Sequence, residues 1–157
     1  MDARRTLIAT ALITAGLVAP AGAQVPQIAP DVTKLAVTPK AFKALRSGGP
    51  IVASGGAVIS FNLDEGANVD FRVSALKPGR RGATGCVPGT PKTAKQRCTR
   101  SVRLPGGFKL IGISGDNTVN FSGRIGTAAL KPDTYRLIAK AEGQAARSFS
   151  TTFKIVT

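Results

Sequence analysis

The chain has 157 residues, with 22 Lys or Arg against 8 Asp or Glu and no histidine, for a formal net charge of +14. The missing histidine excludes a Ser-His-Asp or Cys-His nucleophile, an imidazole general base and any histidine-held metal. Its 18 Gly and 10 Pro interrupt the sequence too often for long helices.

In chain order, Arg4 and Arg5 precede an apolar run from Leu7 to Val18, then Pro20 and the small residues Ala21, Gly22 and Ala23 before Gln24. That is the order of a cleavable export signal, residues 1–23. The run is shorter than the roughly 20 residues that cross a bilayer, so an anchor is the weaker reading. Arg4-Arg5-Thr6-Leu7-Ile8 also has the shape of a twin-arginine signal, and the general and twin-arginine routes both stay open. Cleavage removes Asp2, Arg4 and Arg5, so the remaining 134 residues keep a net charge of +13. That length suits one domain, able to bury a core without many disulfides or a metal. The expected layout is a flexible segment at 24–31 and a domain at 32–157, secreted or at the cell envelope, with no transmembrane segment after cleavage.

The mature chain alternates with period two, the pattern of strands that bury one face. The first strand reads Thr33, Leu35, Val37, and Ala41 to Leu45 is expected as a single helical turn. Ile59, Phe61 and Leu63 alternate with polar neighbours, as do Val69, Phe71, Val73 and Ala75. The Asp64-Glu65-Gly66-Ala67-Asn68 stretch between these two sets is a turn by composition, which predicts a hairpin. Val119 and Phe121 follow, then Ile125, then Tyr135, Leu137, Ala139 and Ala141, and finally Phe149, Thr151, Phe153 and Ile155. Weaker candidates are Ile51–Ala53, Val102–Leu104 and Phe108–Ile113. Seven or eight short strands in one domain predict an all-β, two-sheet sandwich in preference to a closed barrel.

Leu130-Lys131-Pro132-Asp133-Thr134-Tyr135 opens the last strand but one. With Leu130, Pro132 and Tyr135 in this spacing, it resembles the tyrosine corner of fibronectin type III and immunoglobulin-like sandwiches. The resemblance implies that the Tyr135 hydroxyl turns back to a backbone group upstream; the competing reading is an ordinary half-buried strand aromatic. The sequence departs from those families in having no Trp and no cysteine in the strands that carry the antibody inter-sheet disulfide. The mature region, with Asn120-Phe121-Ser122-Gly123-Arg124 and the Leu-x-Pro-x-x-Tyr-Arg-Leu run, is also similar to small exported bacterial sandwich domains. That similarity implies fold and location and no activity.

From Phe71 to Gly115 the chain carries ten Lys or Arg and no acid. Cys86 and Cys98, its only cysteines, lie in that stretch, and in an exported chain they are expected to pair. Eleven residues separate them, and closing a ring of that order adds about 3 kcal/mol by restricting the unfolded chain. The bond would staple a basic loop insertion at 77–101. Zinc would need two more ligands than the cysteines supply, and redox pairs sit two residues apart at a helix start. Inside the insertion, Arg80, Arg81, Lys92, Lys95, Arg97 and Arg100 form a candidate anion-binding set. Such a set attracts polyanions with salt-steep affinity, but Lys77 to Arg103 holds no aromatic for base stacking, which argues against sequence-specific nucleic-acid recognition.

Paired carboxylates could still catalyse glycoside hydrolysis, with Asp64, Glu65, Asp70, Asp116, Asp133 and Glu142 as the candidates. Most fall in predicted turns or strand ends, where solvation explains them better. Calcium at Asp64, Glu65 and Asp70 lacks a dense oxygen-ligand spacing, and Gly79 to Gly85 lacks the Lys-Ser or Lys-Thr of a phosphate loop. The expectation is therefore an exported, non-catalytic module without cofactor or metal, with a structural or interaction role. Its partner would be a protein or an anionic envelope polymer; the alternative is a dedicated polyanion binder acting through the basic loop.

Overall fold

The computed structural model describes residues 29–143 and 147–157. The expected signal at 1–23 and residues 24–28 of the N-terminal segment lie outside them. The described residues hold no α-helix. In order they form β1 (Val32–Thr38), β2 (Ala41–Phe42), β3 (Ile51–Val52), β4 (Ala57–Leu63), β5 (Ala67–Gly82) and β6 (Gly85–Val87). After a single 3-10 turn at Ala94–Gln96 come β7 (Arg97–Arg103), β8 (Phe108–Gly112), β9 (Gly115–Phe121), β10 (Arg124–Ile125), β11 (Ala128–Ala129), β12 (Asp133–Ala141) and β13 (Phe149–Ile155). Eight of these strands run five residues or more, and the rest are two- or three-residue pairings.

One sheet has the order β1-β4-β9-β3, the other runs β2-β13-β12-β5, and β10 with β11 makes a separate ribbon. β5 is the hub of the second sheet. Val69–Phe71 pair with both β12 and β8, Ser74 and Ala75 with both β12 and β7, and Arg80 with both β6 and β7. A strand has two edges, so β7 and β8 share one edge of β5 while β12 and β6 share the other.

The alternating residues of both sheets meet in one core. Ile59, Phe61, Leu63 and Phe121 from the first sheet, and Val69, Phe71, Val73, Leu137, Phe153 and Ile155 from the second, are almost wholly buried. Each large side chain buried in this way contributes about 1.5–3 kcal/mol. Rings cross between the sheets: Phe61 meets Phe71 edge-on at 5.4 Å and Phe121 meets Phe153 edge-on at 5.7 Å.

Three local expectations are corrected. β4 and β5 do not form a hairpin, because their turn arches from one sheet to the other. β4 pairs with β1 and β9, and β5 with β12 and β8, so the two strands face each other across the core. Asp64 holds the arch: its Oδ1 accepts the backbone N–H of Asp31 at 2.7 Å and of Glu65 at 2.8 Å, and its carbonyl accepts the Ser114 hydroxyl at 3.0 Å. Strict alternation also fails in β1. Val32 and Val37, five positions apart, both point inward because the register slips between Thr33 and Ala36 at Lys34, whose φ is 52°. Finally, the expected helical turn at Ala41–Leu45 begins as strand β2. It pairs parallel with β13 and delivers Phe42 onto Phe153 at 5.7 Å, so tertiary pairing overrides local composition.

Candidate functional site

The stretch expected as a loop is mostly strand. β12 pairing on β5 ends at Ala75, but β5 continues to Gly82, turns through Ala83 and Thr84 into β6, and takes β7 along its other edge. The insertion at 77–101 is therefore a three-stranded arm continuous with the sheet. Its sequence hid this because Lys77-Pro78-Gly79-Arg80-Arg81-Gly82 has no apolar alternation; backbone pairing and the disulfide build it instead. Pro78 sits after the β12 pairing ends and before the β6 pairing starts at Arg80, where that edge of β5 needs no N–H.

Cys86 and Cys98 are bonded, with Cα atoms 5.9 Å apart. They belong to the strands on either side of β5, which in a flat sheet would lie roughly 9.5 Å apart. The arm therefore curls over the central strand at Gly79. A Cβ there would stand 2.6 Å from the Val87 carbonyl oxygen and 2.9 Å from Cys86 Sγ, so the closure requires a residue without a side chain.

Register distributes the six predicted cations. Arg80 and Arg97 pair directly and share the outer face of the arm. Arg81, opposite Cys86, and Arg100, opposite Lys77, lie on the face that carries the disulfide. Lys92 and Lys95 stand exposed on the connection around the 3-10 turn. Arg100 is half-buried, and its Nε is buried without a hydrogen-bond partner among the described residues.

Where the arm leaves the domain, Lys77 Nζ donates to Asp133 Oδ2, while Asp133 Oδ1 accepts the Thr134 N–H at 2.8 Å. The Lys77 hydrogen bond, helped by that of Thr134, holds the Asp133 carboxyl below its ordinary value of 3.8. Next to it the Tyr135 hydroxyl donates to the Lys131 carbonyl at 2.8 Å, a bond that turns back four residues. Burial, then the Asp133 charge, raise the Tyr135 phenol above 10.0. Leu104, Pro105, Ile125, Leu130 and Tyr135 line an apolar cleft of about 490 Å³ at this end.

Most of the acids considered for hydrolysis are engaged in ion pairs or hydrogen bonds. Asp133 pairs with Lys77 and Asp70 with Lys109, Asp116 accepts from Asn62, Glu142 accepts from Asn68, Asp64 organises its arch, and Glu65 is exposed. Among the described residues no three of His, Cys, Asp or Glu group to hold a metal ion.

Sequence reasoning missed Arg124. The residue is 9% exposed, and its guanidinium has no carboxylate partner among the described residues. Instead Nε donates to the Gly48 carbonyl at 2.9 Å, Nη1 to Leu45 at 3.0 Å and Arg46 at 2.9 Å, and Nη2 to Thr127. It ties the 45–48 segment to the β10–β11 ribbon. In so basic a chain, nothing local distinguishes it from a solvated cation.

The disulfide belongs to an oxidising environment. No helix among the described residues is long and apolar enough to cross a membrane. No protein-family model matches the chain, and no curated protein matches it. Among solved structures the chain is similar to the Pseudomonas fluorescens alkylpurine DNA glycosylase AlkC bound to DNA containing an abasic site analog, at 15% identity and a TM-score of 0.34. The match covers 82% of this chain and 30% of that one, and likeness at this level assigns neither fold nor activity.

Proposed function

We propose that this protein is an exported, non-catalytic module on an immunoglobulin-like or fibronectin type III-like sandwich, with a structural or interaction role at the envelope or outside the cell. The observation that carries the reading is the strand order. The neighbour orders β1-β4-β9 and β13-β12-β5 are those expected of strands A-B-E and G-F-C in such a sandwich, and support the reading. The Tyr135–Lys131 bond at the start of β12 supports it, since a tyrosine corner opens strand F. The fold carries no chemistry of its own, so function rests on surfaces. Engagement of Asp133, Asp70, Asp116 and Glu142 with Lys or Asn partners favours binding over hydrolysis.

A second reading, polyanion binding through the arm, is favoured by the six cations that the arm carries on its two faces and its connection. Both readings are tested by capture of the mature chain on envelope fractions across a salt series. Capture that falls steeply with salt supports electrostatic binding, and salt-insensitive capture supports a contact made by a sheet edge or face. Failure of capture at every salt concentration would refute the interaction role.

A further inference from the structure

The outward positions of the second sheet fall in rows set by the register. Arg136, Ser74 and Arg103 form one row across β12, β5 and β7; Ile138 and Arg72 form the next. Lys154, paired with Thr134, borders them on β13, and Arg80 with Arg97 continues the same face onto the arm. Asp70 is the one carboxylate at the described outward strand positions of this face, and Lys109 lies 3.7 Å from it. Among the described residues no carboxylate lies within ion-pair distance of Arg72, Arg80, Arg97, Arg103 or Arg136.

The face is also concave at its centre. Ser74 is small and buried, and a depression of about 430 Å³ opens over it, lined by Arg72, Arg103, Lys140 and Ile138, with the Asp70 carboxylate at the side where Lys109 pairs with it. A second depression adjoins it where Gly106 and Gly107 replace strand side chains between β7 and β8. Neighbouring strands are about 4.8 Å apart and successive outward residues roughly 6.8 Å apart. The Cα positions of these arginines therefore form a grid from which their side chains can reach successive anionic groups on a polymer.

We infer that this outer face, and not the arm alone, binds a linear anionic polysaccharide, seated over Ser74 between Arg72, Arg103 and Arg136 and running on toward Arg80 and Arg97. The occupant is chosen by charge and by what the face lacks. All seven Phe and the single Tyr are in strands at inward-facing positions, so the face offers no platform for stacking bases. Recognition would fall on sulfate, phosphate or carboxylate groups through bidentate guanidinium contacts. The inference rests on the interaction reading above and names its surface.

The test measures retention of the mature chain on a sulfated-polysaccharide matrix across a salt gradient. Two triple variants lose the same charge: R72Q/R103Q/R136Q on the face and R81Q/K92Q/K95Q on the arm. The face variant is expected to lose about tenfold or more in affinity at low salt and to reduce the salt slope by about 2–3, the arm variant about threefold or less. R72K/R103K/R136K, which keeps the charges but loses the bidentate contacts, is expected to bind more weakly than the wild type and more tightly than R72Q/R103Q/R136Q, and guards against a folding defect. Equal losses would reduce the effect to net charge, and a greater loss in the arm variant would move the site to the arm; either overturns the inference. Tighter binding to duplex DNA or to anionic phospholipid vesicles than to the polysaccharide overturns the choice of partner. If the face variant is still captured on envelope fractions as well as the wild type, the inference fails and the interaction role stands.

Discussion

Replacing Arg124 by Met would remove the one cation buried among the described residues, which the fold uses as a strut. Hydrogen bonds to a charged donor are each worth about 1.5–3 kcal/mol, but the loss is not four times that. Arg46, Gly48 and Thr127 are exposed residues whose carbonyls can turn to water, whereas Leu45 is half-buried. Counting the bonds lost, less what water restores, Arg124→Met should cost about 3 kcal/mol, a large share of the roughly 5–15 kcal/mol of a typical domain. For a domain of this size that corresponds to about 10 °C in Tm. Arg124→Lys keeps the charge but brings one nitrogen where the fork uses three, so it should recover less than half of the loss. Among the described residues no titratable group pairs with the guanidinium, so the defect should not change between about pH 5 and 9. Urea unfolding followed by far-UV circular dichroism measures it. A loss below about 0.5 kcal/mol for Arg124→Met, or a neutral Arg124→Lys, would refute the strut.

The remaining predictions concern the arm, its base and the core. Gly79→Ala should hinder closure of the Cys86–Cys98 bond, read as free thiol in the purified protein; full oxidation with unchanged stability would mean the arm has room to relax. Because the Asp133 pKa is depressed in the fold, the pair with Lys77 stabilises above the ordinary carboxylate value, and that contribution is lost as pH falls through the lowered one. Asp133→Asn should therefore flatten the acid limb of the Tm-against-pH curve; an unchanged limb would show that the pair is solvated away. Phe71, fully buried and ringed by Phe61 at 5.4 Å and Phe108 at 5.0 Å, should cost about 3–5 kcal/mol on truncation to Ala by chemical denaturation. A cost under about 1 kcal/mol would place it outside the core.

Period-two alternation was enough to read the long strands, since a residue that faces a shared core must be apolar whatever sheet it joins. Thus Ile59, Phe61 and Leu63, or Val69, Phe71 and Val73, identify themselves. The cysteine pairing was legible for a similar reason, because a chain with only two cysteines, neither in a metal or redox spacing, leaves one partner for each. What alternation cannot encode is which strand lies beside which. The turn at Asp64–Asn68 has hairpin composition and makes an arch, because β1, β9, β12 and β8 occupy the edges that a hairpin would need. Lys77–Gly82 lacks an apolar face and is strand nonetheless, because hydrogen bonds to β6 and β7 do not depend on side-chain polarity.

Residue type and order alone determined the basic character, the strand content, the two-cysteine staple and the chemistries ruled out by the missing histidine, since each depends only on which side chains are present and how they alternate. Tertiary structure decided where the charges stand. Arg124 and Arg136 are both arginines, twelve positions apart; backbone carbonyls enclose one, and β-sheet register turns the other outward beside Ser74 and Arg103. Such differences arise from contacts between residues far apart in the chain, to which local sequence is blind.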